Sequence, residues 1–227
     1  MIKLSHRLQT IYSMVPNGTA ADVGADHGKL MIALFENGVI SHGYAIENKK
    51  GPYNRLVKAS KEHNLENDII PLFSDGIKDL PNDVHTVIIA GMGGENIIDI
   101  LKKYPTKCKL IQTLIVDAHN AVPKLREEVC KLGFTIADEK MVHEEGIFYE
   151  IIKFIRADVA FYGEQDLEFG PILRVEKSTT FKEKYQNRII EINKLLTKDN
   201  LPQRRIDELN REKRKIEGIL WLKWTLF

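Results

Sequence analysis

Short, mainly apolar runs rich in Val and Ile recur through the first 155 or so residues, and each is followed by a stretch with helical spacing. An unbroken run, as opposed to an alternating one, marks a strand buried on both faces, as in a parallel sheet covered by helices. Mainly apolar segments without strict alternation occur at Ala20–Val23, Gly43–Ile46, Asp68–Phe73, Val84–Ala90 and Leu110–Val116, with Val87–Ala90 and Leu114–Val116 uninterrupted. Between them, Leu30, Ile32, Ala33 and Leu34 lie on one helix that stops near Asn37-Gly38. A second helix opens around Pro52, a favoured first-turn residue, and a third starts at Glu95. A fourth runs from Val122 to Leu132 and ends at Gly133. Phe134–Ala137 and Gly146–Phe154 are spaced as an antiparallel hairpin. The alternation predicts a doubly wound α/β domain over residues 1–160.

From residue 161 the pattern changes. Phe181, Tyr185, Ile189, Ile192 and Leu196 form a helical seam close to the heptad period. Thr197–Leu201 interrupts it, Pro202 fits the first turn of a second helix, and Ile206, Leu209, Ile216, Leu220 and Trp224 continue the face with Lys213 in the missing seam position. The short break predicts an antiparallel helical hairpin, a coiled coil, over residues 161–227. Simple coverage of the sheet by these helices is the alternative. From Pro171 to Phe227 there are 14 Lys and Arg against 8 Asp and Glu, a net of +6; with +1 overall, residues 1–170 carry −5. A basic appendage on a mildly acidic core fits a polyanionic partner, although a solvated lysine-rich face has the same composition. No stretch approaches the roughly 20 apolar residues of a membrane span, and the first residues lack the apolar core of a signal peptide. Cys108 and Cys130 have no metal-ligand spacing and read as small buried hydrophobes. A cytoplasmic monomer without a metal is expected.

Ligands of an open parallel sheet bind beyond the carboxyl ends of its strands. The first run ends in Asp22-Val23-Gly24-Ala25-Asp26-His27-Gly28, the second at Glu47, and the third leads to Asp75-Gly76. Gly24 allows a tight turn and a close backbone approach, and Gly28 lets the next helix pack closely. A carboxylate at Glu47 can accept both ribose hydroxyls, and Asp75 can accept an adenine amine. A dinucleotide would need Gly-x-Gly-x-x-Gly, whereas Asp26 occupies the place of the second glycine and would repel a pyrophosphate. S-adenosylmethionine has no phosphate and carries two cationic groups, so the acidic crevice favours it. The fourth run ends in Ala90-Gly91-Met92-Gly93-Gly94, which offers backbone groups to an amine-bearing substrate or, more plainly, makes a flexible turn into the next helix.

Ser5-His6-Arg7-Leu8-Gln9-Thr10, Asp22–Gly28, Gly51-Pro52, Ser74-Asp75-Gly76, Ile89–Gly94 and Glu144-Glu145-Gly146 with Tyr149-Glu150 resemble the bacterial tRNA adenine-N1 methyltransferases of the TrmK type. The resemblance covers nearly the whole chain. It implies a Rossmann-like class I methyltransferase domain with a C-terminal helical hairpin, and methylation of adenosine 22 in the tRNA D-arm. Where family members usually carry Gln-Pro-Asn after the fifth strand, this chain has Asp117-Ala118-His119. Methyl transfer to N1 needs no strong base, so positioning and local charge should carry catalysis. Asp26 is the candidate for stabilising the cationic product or accepting a proton from its amine; holding the donor's amino group is its other possible role. The resemblance further implies that backbone at Ala90, Gly91 and Met92 orients the target base. Arg7 is a candidate for the donor's carboxylate, and His27 lines the pocket or caps a helix. Lys182, Lys184, Arg188, Arg204, Arg205, Arg211, Arg214 and Lys215 are candidate phosphate contacts. The competing readings are a nucleotide-dependent oxidoreductase, a methyltransferase of another RNA site, and a non-catalytic RNA-binding module.

Overall fold

The computed structural model describes residues 2–25, 27–158, 160–198 and 200–221. Two compact units divide the chain, Met1–Pro171 and Ile172–Phe227.

The first unit is built on β1 (Gly18–Val23), β2 (Ile40–Glu47), β3 (Ile69–Phe73), β4 (Thr86–Met92), β5 (Thr113–Ala118), β6 (Phe134–Glu144) and β7 (Ile147–Arg156). They form one sheet in the order β3-β2-β1-β4-β5-β7-β6. The five strands from β3 to β5 are parallel, and β7 runs antiparallel between β5 and β6. This is the Rossmann-like methyltransferase arrangement. Strand order reverses between β1 and β4, which opens a crevice at their carboxyl ends. The helices are α1 (His6–Met14), α2 (Lys29–Glu36), α3 (Lys50–Glu62), α4 (Gly94–Lys103), the short α5 (Pro105–Cys108), α6 (Val122–Lys131) and α7 (Glu164–Phe169). Ala20, Val87, Ile88, Ile89, Leu114 and Ile115 are fully buried, as their unbroken apolar runs require. Cys108 and Cys130 are free, buried thiols, and burial pushes the Cys130 thiol up to about 11.

The compact unit extends eleven residues beyond the composition change at 160. Two contacts explain this. The Tyr162 hydroxyl accepts the Ile136 N–H at 2.9 Å, stitching the segment to β6. Arg126 Nη1 on α6 donates to the Leu167 carbonyl at 3.0 Å, and Phe169 on α7 is buried. The same Arg126 lies fully buried between Glu139 (2.8 Å) and Glu150 (2.6 Å), which joins α6 to both strands of the hairpin. Neither α7 nor this network follows from apolar periodicity.

The second unit begins with α8 (Leu173–Glu176), also unforeseen, followed by α9 (Thr179–Leu196) and α10 (Gln203–Trp221). Residues 197–202 join the two long helices into a hairpin. Ser178 caps α9 by accepting the Phe181 N–H at 3.2 Å. Phe181, Tyr185, Ile192, Leu209 and Ile216 are buried as the seam predicts, and Lys213 reaches across to Asn193 at 2.8 Å. The next seam position is Ile219, not Leu220: Ile219 is buried and Leu220 only half-buried. Trp224 lies outside the described residues. Arg188 donates from Nε and Nη2 to both oxygens of Glu212, at 2.6 and 3.0 Å, so this cation clamps the hairpin. Arg204 and Arg205 both reach Glu208, whereas Lys182, Arg211 and Arg214 make no ion pair among the described residues.

Candidate active site

The carboxyl edge of the sheet holds two adjoining cavities that share Gly24. The larger, about 510 Å³, is within the ordinary range for a small-ligand site and is lined by Glu47, Asp75, Gly76, Met92 and Tyr104, among others. The smaller, about 190 Å³, is bounded by Arg7, Asp22, Gly24, His27 and Ala90. Of the residues marked by the sequence, Gly28 and Gly91, both also expected to contact the cofactor, line neither; Gly28 starts α2 with φ +65°. A Cβ there would meet Leu56 at an ordinary 3.4 Å, so the glycine serves backbone conformation and not the close packing expected of it. Asp26 lies outside the described residues.

Three carboxylates sit at three successive strand ends, in three different environments. Asp22 is buried, and its carboxyl is pushed up to about 7, chiefly by burial and next by the charge of Glu47, with Arg7 opposing. A cationic ligand beside it would relieve that cost. Asp75 is the opposite case: hydrogen bonds from Lys103 (2.6 Å) and Tyr104 (2.8 Å) hold it below the usual carboxylate range. Those partners, 28 and 29 residues downstream, were not visible in the sequence. Glu47 lies at the end of β2 on the wall of the larger cavity. A purine nucleoside with an attached cation fits this donor set; a pyrophosphate does not.

On the other side of the crevice, β4 bulges. Ala90 pairs with Asp117 and Met92 with Ala118, which leaves Gly91 out of register at φ +75°, a conformation that only glycine adopts readily. Gly91 alone is therefore turned out of the ladder, by a bulge within β4 and not by a turn after it. Met92 folds back over Gly24, where a Cβ would come within 2.5 Å of its methyl carbon. Asn120 Oδ1 accepts the Gly94 N–H at 3.1 Å and fixes the start of α4.

Arg7 is delivered by α1. Ser5 caps that helix by accepting the Leu8 N–H at 3.3 Å, and Glu144 at the end of β6 accepts the Arg7 N–H at 2.7 Å. The guanidinium donates to Asp117 Oδ2 at 2.6 Å and lies 5.0 Å from the Tyr149 ring centre. It thus borders the smaller cavity while being committed to Asp117. Asp117 is fully buried, burial raises its carboxyl pKa against the pull of Arg7, and its Oδ1 has no hydrogen-bond partner among the described residues. Asp117, His119 and Tyr149 stood out in the sequence only as a departure from a family pattern or as part of a motif without a role.

A methyltransferase-domain family model matches residues 4–152. Over 197 residues the chain is 29% identical to the tRNA (adenine(22)-N(1))-methyltransferase of Bacillus subtilis strain 168, covering 81% of this chain and 80% of that protein. A Streptococcus pneumoniae protein crystallised with S-adenosyl-L-methionine superposes with a TM-score of 0.87 at 31% identity, over 96% of this chain and 100% of that one. TrmK of M. capricolum, bound to S-adenosyl-homocysteine, superposes with a TM-score of 0.84 at 25% identity, over 95% of this chain and 96% of that one. With a cleft chemically suited to the same ligand and a match along almost its full length, the chain belongs to the methyltransferase-domain family, and within it to the tRNA (adenine(22)-N1)-methyltransferases.

Proposed function

We propose that this protein methylates N1 of adenosine 22 in the D-arm of tRNA, with the first unit, up to Pro171, holding S-adenosylmethionine and the helical unit that follows holding the RNA. The observation that carries this reading is the meeting, at one sheet edge, of an acidic nucleoside cleft and the bulged backbone at Gly91. S-adenosylmethionine, when bound, supplies an electrophilic methyl group on a sulfonium. Glu47 takes the ribose hydroxyls and Asp75, with Gly76 beside it, the adenine amine of that ligand. Asp22, Gly24 and His27 frame its amino-acid end, with Gly28 setting the backbone turn into α2 and Arg7 supplying the nearby positive charge. Backbone at Ala90, Gly91 and Met92 orients the target adenine, with the Gly91 carbonyl accepting an N6 hydrogen, and turns its N1 toward Gly24. The N1 lone pair needs no deprotonation, so these residues act by position and by local charge. Asp26 is the carboxylate that offsets the positive charge of the methylated ring.

N1 lies on the Watson–Crick edge, so the base must be drawn out of its stack at a cost of a few kcal/mol. Lys182, Arg211 and Arg214 hold the RNA by charge and shape, which makes binding salt-dependent. No described helix is long and apolar enough to cross a membrane. We further propose a cytoplasmic enzyme acting as a monomer. Incubation with S-adenosylmethionine and unmodified tRNA, followed by mapping of N1-methyladenosine, tests the reading. Methyl incorporation at position 22 is the expected result. Incorporation at another RNA position, or only into protein, overturns it.

A further inference from the structure

Gly91 is exposed and lines neither cavity, although its neighbours Met92 and Ala90 line the larger and the smaller one. Two side chains flank Gly91 itself. A Cβ at that position would lie 3.6 Å from Arg7 Nη1 and 3.8 Å from His119 Nε2. His119 is exposed, yet its place is fixed: its backbone N–H donates to the Met92 carbonyl at 2.9 Å, and its ring meets that of Tyr149 edge-on, 6.3 Å between centres. Tyr149 is backed in turn by Arg7, and Arg7 by the buried Asp117.

The geometry of adenine then constrains what meets His119. N6 lies between N1 and N7 on the ring perimeter. With N6 on the Gly91 bulge and N1 turned toward the cavities, N7 lies on the other flank of N6, and the His119 imidazole, 3.8 Å from a Cβ at Gly91, is within reach of the base there. We propose that His119 is a specificity-determining residue whose Nε2–H donates to N7 of the target adenine. This inference rests on the methyltransferase reading above. It assigns a function to the segment Asp117-Ala118-His119, where the chain departs from the pattern it otherwise resembles. Asp117 and Tyr149 are positioning residues in this arrangement, acting through Arg7 and the imidazole.

The test deletes each end of the contact. Transfer rates are measured with tRNA carrying adenosine or 7-deazaadenosine at position 22, for the wild type and for His119→Ala. Replacing N7 by carbon also makes N1 more basic, but that change is common to both proteins and cancels in the ratio. The expected result is a loss of about tenfold in kcat/KM on either deletion alone, the worth of one hydrogen bond, and no further loss when both are made. His119→Gln, which keeps an N–H donor at similar reach, should recover part of the rate. S-adenosylmethionine affinity, measured by calorimetry, should be the same in all three proteins. Penalties that multiply, or a wild type indifferent to N7, would overturn the inference while leaving the methyltransferase reading intact. A wild type inert toward adenosine-bearing tRNA would strike down both.

Discussion

Two arginine–carboxylate clusters lie in the first unit, and they are built to different standards. Arg126 is fully buried with two glutamates around it and a main-chain carbonyl on its remaining edge. Arg7 is partly exposed, makes one side-chain ion pair among the described residues, and leaves Asp117 Oδ1 buried without a partner. Closed networks of the first kind fix architecture, because a buried charge is tolerated only when its hydrogen bonds are complete. The open one borders the proposed cofactor cavity and the bulge at Gly91. Incomplete satisfaction tends to be kept where a ligand or a moving part takes up the difference. The contrast separates residues that hold the fold from residues that serve the reaction.

The largest effect should follow from breaking the closed network. Arg126→Met leaves Glu139 and Glu150 buried together without their cation, a loss of about 3–5 kcal/mol. Denaturant unfolding measures this, and the activity of the molecules still folded should be close to wild type, since Arg126 touches neither cavity. A loss under 1 kcal/mol would erase the distinction between the two clusters.

Asp22 sharpens the comparison, because here the fold supplies only part of the compensation. Its carboxyl titrates at about 7, so it is mostly protonated at pH 6 and mostly ionised at pH 7.5. A cationic ligand binds the ionised form better, lowers that pKa, and so binds more tightly as pH rises through 7. S-adenosylmethionine affinity should therefore rise several-fold between pH 6 and 7.5 as the ionised fraction grows. Asp22→Asn should bind weakly with no such slope. A flat wild-type profile in calorimetric titrations would show that Asp22 does not face the ligand's charge.

The sequence disclosed the site's acidic half more fully than either cluster, and the reason is physical. Asp22 and Glu47 lie in the last two residues of β1 and β2, and Asp75 two residues past β3, so locating the strands locates the carboxylates. The parallel strands were legible because burial on both faces leaves unbroken Val/Ile runs. The insertion of β7 between β5 and β6 was not, since a hairpin's own pattern does not say which of its strands meets the sheet. Arg126 sits among Lys124, Glu127 and Glu128 and reads as part of a solvated helix face. Its burial depends on strands 13 and 24 residues away. In the hairpin, Ile219 and Leu220 are adjacent and equally apolar, so period alone could not choose between them. Arg188 looked like a phosphate contact because its partner, Glu212, is 24 residues further along.

The smallest effect is the one that distinguishes the clusters most cleanly. Asp117→Asn removes a buried charge together with its unpartnered oxygen, and keeps a carbonyl oxygen to accept from Arg7. The charge-assisted bond becomes a weaker neutral one, while the desolvation cost of the carboxylate disappears. These terms oppose each other, so unfolding free energy should move by less than about 1 kcal/mol. Arg7 is then held less firmly, and with it Tyr149 and the imidazole of His119. The consequence should appear in KM for tRNA and, through Arg7, in S-adenosylmethionine affinity, rather than in stability. Denaturant melts alongside steady-state kinetics decide the matter. A stability loss near that of Arg126→Met, with tRNA kinetics untouched, would make Asp117 a second architectural anchor and leave the groove beside Gly91 without its support.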